Sequence, residues 1–126
     1  MITTQAYINK NLPTILEELF SLIRIPSVSA HQHAREALYQ CANQWVKLLL
    51  KAGVDKAEVM ETKGNPVVYA EKCIDKSLPT VLVYGHYDVM PAEPLELWKS
   101  PPFEPEVRDG KVFARGADDD KGQSFM

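Results

Sequence analysis

Along the first fifty residues the apolar positions recur every three or four places. Leu12, Ile15, Leu16, Leu19, Leu22 and Ile23 share one face, with Glu17, Glu18 and Arg24 elsewhere, which predicts a helix over residues 4 to 25. Pro13 either opens the main helix at its first turn or kinks a longer one. Ile25-Pro26 ends it, because a residue before proline is pushed out of the α region. Ser27-Val28-Ser29-Ala30 reads as a connector. A second stripe, Ala34, Ala37, Leu38, Cys41, Trp45, Leu48, Leu49 and Ala52, predicts a helix from about His31 to Ala52, with Gly53 as its left-handed stop.

From Val54 the helical period is lost. Lys56 to Glu61 alternates weakly, Lys63-Gly64-Asn65 supplies a turn, and Pro66 to Glu71 reads as a second strand, so the two form a hairpin. Thr80-Val81-Leu82-Val83-Tyr84 is a continuous β-branched and apolar run; such a strand is expected to be covered on both faces, inside a sheet flanked by helices. Five prolines between Val89 and Pro105 predict a stiff loop without regular structure, pinned to the body by Trp98 and Phe103. Asp109-Gly110 between Glu106-Val107-Arg108 and Lys111-Val112-Phe113-Ala114 is a type I′ hairpin signature. Two helices followed by strands, one of them fully buried, predict an α/β layered domain.

Composition narrows the function classes. A chain of 126 residues fits one domain, and 45% apolar with 25% charged residues is ordinary for a globular protein. The net charge of −3 is a mixture of both signs without a basic run, which argues against nucleic acid or an anionic membrane as partner. No stretch approaches the ~18 apolar residues of a membrane span, and Met1-Ile2-Thr3-Thr4-Gln5 lacks the marks of a signal peptide, so the cytoplasm is the expected address. Cys41 and Cys73 are expected to be buried free thiols.

The candidate chemistry follows the apolar strand. His86 and Asp88 stand two residues apart just beyond its end, where ligands of layered α/β proteins bind. Residues i and i+2 of an extended backbone point the same way, so Asp88 can accept the imidazole N–H, fixing the tautomer for a metal on the other ring nitrogen. Asp118-Asp119-Asp120 would repel one another unless cations or solvent intervene; a bridging carboxylate can serve two metals. A solvated acidic run is the competing reading, and the spacing of a calcium loop is absent. His31 and His33 are predicted to diverge around a helix start rather than to converge on a metal.

Val83-Tyr84-Gly85-His86-Tyr87-Asp88-Val89, then Trp98 with Pro101-Pro102-Phe103, then Asp109-Gly110-Lys111, then Arg115-Gly116-Ala117-Asp118-Asp119-Asp120-Lys121-Gly122 resembles the co-catalytic zinc peptidases. That family includes carnosinase-like dipeptidases, glutamate carboxypeptidases, aminoacylases and succinyl-diaminopimelate desuccinylase. Arg24 to Ser29 resembles its N-terminal helix exit, and Asn65 to Tyr69 looks closest to the dipeptidase branch. The resemblance implies an α/β/α catalytic domain, with His86 as a zinc ligand, Asp88 as the catalytic carboxylate that orients it, and Asp119 as the carboxylate bridging two zinc ions; cobalt and manganese are the alternative metals. Asp118 falls on a variable position and Asp120 on a supporting one. A cis peptide bond just after the bridging ligand is also implied.

The family's glutamate pair, later carboxylate and distal histidine are not in this sequence, so residues 1–126 are expected to be the N-terminal portion of a catalytic domain, inactive alone. The implied substrate is a small peptide or, alternatively, an N-acyl amino acid, cleaved by a full-length homodimer. A non-catalytic remnant and an unrelated α/β domain are the readings from other classes.

Overall fold

A computed structural model describes residues 3–31 and 33–126. Helix α1, Thr4–Ile23, starts at Thr3, whose Oγ1 accepts the Ala6 N–H at 3.2 Å, and runs through Pro13 without a break. Its first turns are exposed, while Leu22 and Ile23 at its end are fully buried. Helix α2, Arg35–Ala52, ends at Gly53 with φ 95°, as its sequence predicts.

The start of α2 differs from expectation. His31 N–H bonds to Val28 O at 3.2 Å and Ala34 N–H to His31 O at 3.0 Å, so the chain turns before the helix begins. Gln32 lies outside the described residues. His31 and His33, freed from a helical frame, do not diverge but stack, with ring centroids 5.6 Å apart. Ala34 has no side-chain oxygen to cap the helix, which is why neither the pattern nor a cap residue marks its true start.

Strands β1 (Lys56–Met60) and β2 (Val67–Glu71) pair antiparallel with Val59 opposite Val68, and α2 packs on both. The second hairpin joins β3 (Glu106–Arg108) to β4 (Lys111–Phe113) with Val107 opposite Val112. Its turn residues Asp109 and Gly110 have φ 50° and 73°, positive at both central positions as a type I′ turn requires. A short helix α3, Lys121–Phe125, follows and lies against the end of α1 and, through Phe125, against Trp45.

The proline-rich stretch behaves as expected, apart from a single 3-10 turn at Leu95–Leu97. Trp98 is the anchor: its indole N–H donates to Ala92 O at 2.7 Å and the Arg115 guanidinium lies over its ring. The buried core is small. Leu22, Ile23, Val28, Leu38, Cys41, Ala42, Val89 and Ala92 converge where the end of α1, the connector, α2 and the segment after Asp88 meet. Cys41 belongs to it, but Cys73, expected to be buried, is exposed on the polar stretch after β2; both thiols are free.

The run Thr80 to Tyr84 is the main correction. It is unpaired, and Val81, Leu82, Val83 and Tyr84 are 81–90% exposed. The two hairpins form separate two-stranded sheets, and among the described residues no backbone hydrogen bond reaches it. The whole chain exposes 9216 Å², against roughly 6,800 Å² for a compact monomer of 14.2 kDa. An open apolar strand with that excess of surface is a template for association. Leu82→Lys is therefore expected to reduce concentration-dependent self-association in light scattering, and equal association by both proteins would show that another surface drives it.

Candidate metal centre

The site stands on the core through short polar straps. Ser27, fully buried, donates its hydroxyl to Tyr87 O at 2.7 Å and accepts the Val89 N–H on its own carbonyl at 3.0 Å. The α1–α2 connector is thus tied alongside residues 87–89. Tyr87 donates its hydroxyl to Pro66 O, joining the same segment to the start of β2. Burial, with Cys41 and Asp88 nearby, pushes its pKa up to about 12, so it stays a donor at neutral pH.

Asp88 and His86 then meet as their spacing predicts. Nδ1 of the imidazole lies 3.0 Å from Asp88 Oδ1 and 3.1 Å from Asp88 O. Both are acceptors, so Nδ1 carries the hydrogen. The other nitrogen, Nε2, lies 3.1 Å from Asp119 Oδ1, brought from 33 residues away by the β3–β4 hairpin. The second carboxylate oxygen of Asp88 accepts the Ser29 hydroxyl.

The three successive aspartates do not act as one cluster. Asp119 reaches His86 and is otherwise open, with its side chain 76% exposed. Asp120 turns inward and accepts the His86 backbone N–H at 3.0 Å and the Ser124 hydroxyl at 2.6 Å, which hold its pKa low. Asp118 faces solvent and accepts weakly from Gln123 at 3.3 Å. The Asp119–Asp120 peptide bond is cis, as the resemblance implies.

Lys121 is the functional-site neighbour that sequence reasoning passed over. Its side chain is fully buried, and its ammonium donates to Leu22 O at 2.8 Å and Ile25 O at 2.7 Å, carbonyls in and just beyond the last turn of α1. Burial lowers its pKa, partly offset by Cys41 and Asp88. A cation is favoured at a helix C-terminus, and here it ties the acidic loop to α1. The available signal was its place two residues after Asp119 in an otherwise exposed loop.

The His86 ring decides whether a metal fits. With the hydrogen on Nδ1, the Nε2 lone pair faces a carboxylate oxygen, an arrangement that needs positive charge between them. A proton can supply it. Burial lowers the His86 pKa, but the hydrogen bonds that the ring donates to Asp88 and Asp119 outweigh this and raise it. A metal ion can supply it too. Two ligands at about 2.0–2.2 Å from a tetrahedral zinc stand roughly 3.3 Å apart, close to the 3.1 Å observed. The nitrogen and oxygen donors, with the imidazole backed by Asp88, are of the kinds that bind a divalent ion, but among the described residues no group of three or more ligating side chains is gathered around one.

A cleft of about 720 Å³ opens beside the site between α2, β2 and residues 83–88. Its lining joins the apolar Leu38, Trp45 and Val67 to the polar His86, Asp88 and Asp120. The Trp45 indole N–H in this wall is buried without a partner.

Residues 82–126 match the model of peptidase family M20/M25/M40. A Cys-Gly metallodipeptidase of Candida albicans is 34% identical over 124 residues, covering 87% of this chain and 26% of the relative. A succinyl-diaminopimelate desuccinylase of Herminiimonas arsenicoxydans is 40% identical over 81 residues, 64% of this chain and 21% of the relative. The solved structure of a di-peptidase from Saccharomyces cerevisiae superposes with a TM-score of 0.82 at 29% identity, over 92% of this chain and 27% of that one. The chain spans about a quarter of the length of such relatives. Residues 82–126 thus match peptidase family M20/M25/M40, and the backbone over 92% of the chain is similar to that of a solved di-peptidase.

Proposed function

We propose that this chain is the N-terminal portion of the catalytic domain of a zinc-dependent metallopeptidase that hydrolyses dipeptides or similar small amides by two-metal water activation. The observation that carries this reading is the imidazole with an acceptor on each ring nitrogen, Asp88 behind it and Asp119 in front. His86 would hold one zinc ion through Nε2, Asp119 would supply the carboxylate for both ions, and Asp88 would hold the tautomer. A pair of bound zinc ions would supply an acidified water and polarise the scissile carbonyl. The roles of this chain's residues are to hold and orient; the general base and the remaining ligands come from the rest of a longer protein. The family's smaller domain would make that protein a homodimer, with the cytoplasm as its setting.

The identity with a desuccinylase favours a second reading, an N-acyl-amino-acid deacylase with the same metal centre. The two readings share every residue role stated here and differ only in substrate.

Two donors from one chain bind zinc weakly, and the test is built for that. Zinc titrated into the chain is expected to shift the His86 ring signals in NMR, with no such saturable binding in His86→Ala or Asp119→Ala. Undiminished zinc binding by both variants would overturn the assignment. Dipeptide turnover by the 126-residue chain itself would overturn the view that the catalytic apparatus is shared with further sequence.

A further inference from the structure

We infer that Ser29 is a positioning residue of the metal centre, resting on the reading of His86 as a zinc ligand. Its hydroxyl donates to Asp88 Oδ2 while Asp88 Oδ1 takes the His86 Nδ1–H, so one carboxylate is held at both oxygens. The side chain of Asp88 is 40% exposed and would otherwise rotate about its last torsion. Either oxygen could then meet the imidazole, at varying distance and angle, and the ring would follow.

The hydroxyl itself is placed by buried structure. Ser27 and Val28, the two residues before it, are in the core, and Ser27 makes two hydrogen bonds to residues 87 and 89, one on each side of Asp88. Connector and metal segment therefore run side by side, and Ser29 emerges from the buried strap level with the Asp88 carboxylate. A chain of fixed contacts runs from the strap through Ser29, Asp88 and the imidazole to the nitrogen that faces Asp119. Groups that orient a ligand through one hydrogen bond change metal affinity by about 10–100-fold, and a group one bond further out is expected to change it by about 3–10-fold.

The experiment compares Ser29→Ala with Ser29→Thr, which keeps the hydroxyl. Two readouts are taken on the whole chain: zinc affinity by titration, and the ¹⁵N shifts of the His86 ring without metal. Ser29→Ala is expected to weaken zinc binding about 3–10-fold and, at a pH high enough to leave the ring neutral, to move the metal-free Nδ1 and Nε2 shifts toward a tautomer mixture, at an unchanged unfolding midpoint; Ser29→Thr is expected to restore both. Ring shifts in Ser29→Ala identical to the parent would overturn the inference. The metal-free shifts test Ser29 even if His86→Ala leaves zinc binding intact, an outcome that overturns the zinc-ligand reading instead.

Discussion

Gly122→Ala is expected to cost about 3 kcal/mol or more of stability and to abolish the His86–Asp119 approach. A Cβ on Gly122 would lie 1.9 Å from the carbonyl oxygen of Ala117, a backbone atom of the loop that carries Asp119. Gly122 is buried and bonded to that loop, its N–H donating to Gly116 O at 3.2 Å, so neither side has room to yield. The methyl must force α3 away from residues 116–120, which moves both Asp119 and Lys121. Gly85→Ala is the informative control. Its Cβ would lie 2.2 Å from Ser124 Oγ, 3.1 Å from Asp120 Oδ2 and 3.2 Å from Ser124 Cβ, all side-chain atoms that can shift, so the loss there is the Ser124–Asp120 hydrogen bond and not a backbone contact. Urea midpoints of the two variants and the parent check the order. A Gly122→Ala midpoint equal to the parent's would mean that the close approach of α3 to the loop is not maintained in solution.

Local rules were legible and long-range ones were not. The Asp109-Gly110 turn and Gly53 each declare themselves within a few residues, because the constraint is the backbone conformation of those residues alone. The two helices and the first hairpin follow from periodicity for the same reason. Thr80 to Tyr84 shows where such reading stops. A continuous apolar run states the environment a segment would be stable in, but not whether neighbouring strands exist to provide it. The chain's own hairpins pair with themselves, so the run stays open.

At the site the same division holds. His86 and Asp88 are two residues apart, and their geometry was readable from the extended period alone. Asp119 was picked from three adjacent aspartates only through the resemblance, since nothing in the repeat of one residue type separates them. The structure separates them by partner: His86 for Asp119, the His86 backbone and Ser124 for Asp120, Gln123 for Asp118. Ser27 and Ser29 looked like a plain connector because what they contact lies some sixty residues on. A hydroxyl in a turn carries no local sign of a distant carboxylate.

Lys121→Met is expected to lower stability by about 2–3 kcal/mol, a large part of what a domain of this size holds. The change keeps most of the buried volume and removes the charge. It removes one of the two hydrogen bonds at each of the Leu22 and Ile25 carbonyls, which keep the Ile25 and Ser27 backbone N–H groups as partners. A hydrogen bond from a charged group is worth about 1.5–3 kcal/mol, and part of the loss of two is returned because a buried cation no longer has to be desolvated. The two effects oppose each other, so the sign of the change is informative. A fall in the urea midpoint, with the His86 ring shifts also disturbed, would mean that the lysine clamps the acidic loop to α1 and sets where Asp119 stands. A midpoint equal to or above the parent's would mean that the charge is a net burden on this chain. Its presence two residues from Asp119 would then call for a functional reason rather than a structural one.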